Sequence, residues 1–139
     1  SLDVRKSVLA TSGAYLRNVG KYKAYADNVI AMRYEELLLN AAEAAMQVSP
    51  ATALGYINEI RSNRGVSALT TVTIDDVLLE RRKELMFEGF RFDDLMRLKK
   101  DVPANPRITE TYPYGHYRIA FPIPLGEINA SGMQQNNGY

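Results

Sequence analysis

Apolar residues recur at helical spacing in successive stretches of the chain. Leu37, Leu38, Ala41, Ala42 and Ala45 form a stripe that predicts a helix over about 32–47. Ser49-Pro50 stops that helix and starts another, because serine is a good N-cap and proline suits the first helical position. Ala53, Leu54, Ile57 and Ile60 carry the second helix to about Arg64, with Gly65 as a left-handed cap. So short a connection predicts an antiparallel hairpin, and the alanines at 41, 45 and 53 allow close approach. A unit of about 34 residues with small residues on both helices resembles a tetratricopeptide repeat. Thr73 opens a third helix, with Asp75 and Asp76 in its first turn near the positive end of the dipole. It is expected to reach about Glu88, bend at Gly89 and resume over 90–99.

The flanks lack this period. Residues 1–30 read as a loop-rich lead-in with one short helix. DVPANPRITETYPYGHYR has three prolines and reads as a long ordered loop. RIAFPIP is expected to be extended, its alternate prolines forbidding a central strand. The tail EINASGMQQNNGY reads as polar loop. The pattern predicts a mainly α fold with little or no sheet, one domain over 1–139: lead-in 1–30, helical core 31–99, loop-rich tail 100–139.

Candidate chemistry centres on ERRKELMFEGFRFDDL, residues 80–95. Glu80, Glu84 and Glu88 repeat every fourth residue, and a helical wheel sets them on one arc with Val77 and Arg81. Phe87 and Leu85 flank the arc, so the helix has no clean wet face and reads as buried. Like charges at this spacing repel, and buried carboxylates without cations take up protons. Arg61, Arg64, Arg81 and Arg91, with Arg33 at the start of the first helix, are placed to pair with them. The preferred reading is a structural Arg–Glu network locking three helices. A glycosidase acid/base pair is a distant alternative, since such pairs face each other across a cleft rather than stack along one helix. A di-metal carboxylate site needs E-x-x-H motifs, which are missing.

Composition narrows the field further. With 17 Lys and Arg against 16 Asp and Glu, net charge is +1 and gives no electrostatic reason for a nucleic-acid or anionic-membrane partner. A single histidine and no cysteine remove multi-imidazole and thiolate metal sites, and no cofactor is implied. No long apolar run spans a bilayer, and SLDVRKSVLATSG lacks the apolar core of a signal peptide. The sequence reads as a soluble domain or a piece of something longer. His116 amid Tyr112, Tyr114 and Tyr117 is a possible sugar-stacking cluster; loop anchoring is the preferred reading. No phosphate loop or nucleophile elbow is present.

RYEELLLNAAEA, ALGYINEIRSNRG, LLERRKELMFEGFRFDDLMRLK, FPIPLGEI and QQNNGY follow in that order. Together they resemble the C-terminal part of the SusD/RagB family, with SLDVRKSV and Lys21-Tyr22 similar to the segment before it. Asn137 departs from the pattern, which usually has proline there. The resemblance implies a non-catalytic, α-helical glycan- or nutrient-binding lipoprotein with tetratricopeptide-like repeats. It also implies a place on the outer face of the outer membrane, capping a SusC-like TonB-dependent transporter. Signal peptide, lipid-bearing cysteine and most repeats would lie upstream of this chain. Most sugar-holding aromatic residues would lie there too, so no ligand residue is carried over. The alternative function is a protein-interaction module of tetratricopeptide type.

Overall fold

A computed structural model describes residues 3–13 and 15–139; Ser1, Leu2 and Ala14 of the expected lead-in lie outside the described residues. The fold is mainly α. One compact unit ends at Phe90 and a second runs Arg91–Tyr139.

In the first unit, a 3₁₀ turn at Val4–Val8 leads into strands β1, Leu9–Ser12, and β2, Tyr15–Asn18. They pair antiparallel with Leu9 opposite Asn18. This small sheet corrects the expectation of a loop there, which rested on the weak alternation of the segment. Helix α1, Tyr34–Ala45, and helix α2, Pro50–Asn63, form the hairpin. Ser49 Oγ accepts the N–H of Thr52, Pro50 opens α2, and Gly65 follows its end at φ 68. Leu38, Leu39, Ala42, Ile57, Ile60, Val77 and Leu85 make the core. Leu37, read as inward from the stripe, is half exposed, and Leu39 takes its place.

Helix α3 spans Ile74–Glu84 and starts with a reciprocal capping box. Thr73 Oγ1 accepts the Asp76 N–H at 3.2 Å, and Asp76 Oδ2 accepts the Thr73 N–H at 2.9 Å. Two sequence expectations fail here. The helix ends at Glu84 rather than near Glu88, with Phe87 at φ 68 in the turn that follows and Gly89 at φ 89. It also has a wet side: Leu79 and Arg82 are exposed, while Val77, Glu80, Arg81 and Glu84 form one buried stripe.

Helix α4 runs Phe90–Arg97, and beyond its end Lys99 at φ 51 lets the Lys100 N–H reach the Leu95 carbonyl. In the second unit, Val102 and Tyr112 form an isolated antiparallel bridge that closes the proline-rich loop. A 3₁₀ turn at Tyr117–Ile119 replaces part of the expected extended run. Helix α5, Leu125–Ser131, corrects the expectation of loop in the tail. Its signals were Pro124 at the N-cap and Gly132 at φ 69 after its last residue, but seven residues carry too little apolar period to be seen. Among the described residues, no helix is long and apolar enough to cross a membrane.

Candidate functional site

The buried stripe of α3 places Glu80 and Glu84 at 1% and 3% exposure among cations. Glu80 Oε1 accepts from Arg5 Nη1 at 2.6 Å, and Oε2 from Arg61 Nη1 at 3.0 Å. Glu84 accepts from Arg33 Nη1 at 2.7 Å, Arg64 Nη2 at 2.8 Å and Arg5 Nη1 at 3.2 Å. Glu88 lies beyond the helix end, not on its wheel. It pairs with Lys21 Nζ at 2.5 Å and with Arg33 through Nη2 at 3.0 Å and Nε at 3.1 Å. Glu35 bridges Arg33 and Arg64, and Asp3 holds Arg5 from the other side.

Of the arginines named from sequence, Arg33, Arg61 and Arg64 thus meet the ladder. Arg81 is buried, donates to Asn40 Oδ1 at 2.8 Å and lies 5.3 Å from the Phe90 ring centre. Arg91 lies in the second unit. Arg5 and Lys21 are cations that sequence reading missed. Both sit in the weakly patterned lead-in, and only the likeness of SLDVRKSV and Lys21-Tyr22 to a family segment pointed to them.

Local chain geometry explains how these cations arrive. Asp3 caps the first 3₁₀ turn and takes three hydrogen bonds from Arg5, fixing its guanidinium. Asn18 Oδ1 accepts the N–H groups of Gly20 and Lys21, while its Nδ2 donates to the Lys21 carbonyl. Gly20 is required in that turn, since a Cβ there would stand 2.6 Å from Val8 Cβ. Lys21 Nζ then donates to the carbonyls of Glu84 and Met86, both at 3.0 Å, and Arg33 Nη2 to the Glu84 carbonyl at 2.6 Å. Two cations therefore cap the negative end of α3, where its dipole favours them.

Burial works against charge on Glu84, but hydrogen bonds and charges from Arg64 and Arg33 overcome it and hold its pKa at about 2. A carboxylate so held is a poor proton donor near neutral pH. Among the described residues, no buried side-chain nitrogen or oxygen lacks a partner. The network is charge-paired, not poised.

A cleft of about 660 Å³ opens beside it, lined by apolar Val4, Val8, Tyr22 and Ile30 and by polar groups including Asn28 and Lys83. Tyr22 is partly exposed there and holds φ 52, a conformation disfavoured for a bulky residue.

The structure brings the tyrosine–histidine cluster together within the second unit. His116 stacks on Tyr112 at 4.8 Å and on Tyr117 at 4.7 Å between ring centres. Arg118 donates to both tyrosine hydroxyls, at 2.9 Å and 3.1 Å. Tyr139 meets Tyr117 edge-on and donates its hydroxyl to the Ala120 carbonyl at 2.7 Å. Gln135 and Asn136 bond the backbone of Ile123 and Phe121. These rings stack on one another and their bonds strap 135–139 along 120–123. Tyr114 stands apart, half exposed, its N–H on Asp101.

Comparison with known proteins matches residues 5–139 to the SusD family. SusD-like protein P2 of Formosa agariphila is 33% identical over 131 residues, covering 81% of this chain and 26% of that protein. SusD-like protein P38 of the same organism is 38% identical over 89 residues, 54% of this chain and 18% of that protein. A putative sugar-binding protein from Bacteroides vulgatus superposes with a TM-score of 0.77 at 31% identity, over 99% of this chain and 36% of its own. A surface glycan-binding protein A from Bacteroides uniformis gives 0.74 at 26% identity, over 97% and 38%. The chain spans about a quarter or less of these curated relatives and a little over a third of the solved ones. With the family pattern matched over nearly its whole length, the chain belongs to the SusD family.

Proposed function

We propose that this chain is the helical scaffold part of a glycan- or nutrient-binding protein that holds its ligand without chemical change. The observation that carries the reading is the state of the glutamate ladder. Each of its carboxylates contacts two or more cations, leaving neither a free acid nor a free base, and relatives of the chain are named for sugar or glycan binding. On this reading the whole protein stands on the outer face of the outer membrane, lipid-anchored and capping a SusC-like TonB-dependent transporter. The Tyr112–His116–Tyr117 cluster serves as an anchor, since its rings stack on one another and both tyrosine hydroxyls accept from Arg118.

Calorimetric titration with a panel of polysaccharides tests this, comparing the full-length protein with this chain. Binding by the full-length protein alone supports a scaffold. Release of reducing sugar by the full-length protein, lost in Glu84→Gln with its fold intact, contradicts it.

A second reading places ligand contact in the cleft. Tyr22 favours it: an aromatic face held in a disfavoured backbone conformation beside open space, near the Asn28 carboxamide. Titratable binding by this chain that Tyr22→Ala abolishes selects this reading over the scaffold.

A further inference from the structure

Asn137–Gly138 is the single Asn-Gly pair of the sequence, and it sits at the centre of an exposed turn. The Tyr139 N–H meets the Asn136 carbonyl at 3.3 Å. Gly138 has φ 97, whereas Asn137 does not take a positive φ. Positive φ at the third turn position alone is the type II pattern, whose second position proline favours. Asn137 occupies that second position. Among the described residues, its carboxamide has no hydrogen-bond partner, unlike that of Asn136, which donates to the Phe121 carbonyl. Gly138, lacking a side chain, leaves its own backbone nitrogen sterically open to the preceding residue.

We propose that Asn137 is a site of spontaneous deamidation that releases the 135–139 strap. The Gly138 backbone nitrogen attacks Asn137 Cγ and gives up its proton. The bond from Cγ to the side-chain amide nitrogen breaks, and ammonia leaves as the succinimide ring closes. Water then adds at one of the two ring carbonyls and opens it to aspartate or isoaspartate. The attack requires Asn137 to rotate out of the type II geometry. That rotation works against one long hydrogen bond across a solvent-exposed turn and against the packing of Gly138 and Tyr139 on Tyr117.

The consequence follows from packing. Isoaspartate lengthens the main chain between 137 and 138 by one carbon and adds a negative charge. Gly138 lies so close to Tyr117 that a Cβ on it would stand 2.6 Å from the ring's Cγ. The lengthened chain cannot keep both that approach and the Tyr139 hydroxyl on Ala120. The strap therefore loosens as the protein ages.

Incubation of the folded full chain at mildly alkaline pH, followed by peptide mass spectrometry, tests this. An amide-to-acid mass shift is expected at Asn137 before any other asparagine, as two isomeric products, with faster amide exchange at Ile123 in step. Asn137→Pro and Asn137→Ser should each abolish the shift, and the serine variant retains a polar, unrestrained turn should proline perturb folding. Conversion in the urea-unfolded chain but not in the folded one would overturn the proposal, as would earlier conversion at Asn129.

Discussion

Arg5 Nη1 lies 2.6 Å from Glu80 Oε1, across 75 positions of sequence. The same guanidinium reaches Glu84 and is gripped from behind by Asp3. The lead-in is thereby an integral part of the helical unit. Arg33 and Lys21 do the same for Glu84 and Glu88, so the α3 ladder is satisfied chiefly by chain far from it in sequence.

Removing one partner leaves a buried charge without compensation. Arg5→Met keeps much of the apolar stem but should lower unfolding free energy by about 3–5 kcal/mol. Urea denaturation checks this, and adding Glu80→Gln to Arg5→Met should recover part of the loss.

The pH dependence has a definite sign. Glu84 has a folded pKa of about 2 against an ordinary 4.5, so the folded state favours its ionised form. Its contribution is complete above pH 4.5 and is lost as pH falls toward 2. Asp3, lowered by its hydrogen bonds from Arg5 despite burial, adds loss in the same direction. Denaturation midpoints measured from neutral to acid should stay level and then fall across that window, and the fall should shrink in Glu84→Gln.

Lys21 holds the end of α3 by two carbonyls and one carboxylate. Lys21→Met should cost roughly 1–3 kcal/mol through those lost charge-assisted bonds. Hydrogen exchange should show the loss first at Leu85 and Glu88, whose N–H groups bond within this turn.

Two glycines of the second unit should respond to alanine with opposite signs. Gly138 has φ 97 and no room beside Tyr117, so Gly138→Ala should destabilise by roughly 1–3 kcal/mol. Gly126 lies in α5 with nothing near its absent Cβ, so Gly126→Ala should stabilise by about 0.5–1 kcal/mol. Thermal unfolding of the two variants checks both.

The elements legible in the sequence are those whose signals are local. Ser49-Pro50, Gly65 and Thr73 with Asp76 mark helix ends by residues one to three positions apart, and the structure places caps there. The end of α3 was not legible, because Lys21 and Arg33 draw the carbonyls of Glu84 and Met86 away from further helix. Those cations come from more than fifty positions upstream. For the ladder, spacing and the need for cations were readable, and Arg61 and Arg64 followed from their place on the neighbouring helix. Arg5 was not, since nothing within its own segment distinguishes it from the exposed Lys6 beside it.

Urea denaturation of Glu84→Gln tests most directly whether the ladder holds the fold together. The network predicts a loss of about 3–5 kcal/mol, because Arg33, Arg64 and Arg5 lose a shared buried counter-charge. Unchanged stability would contradict it.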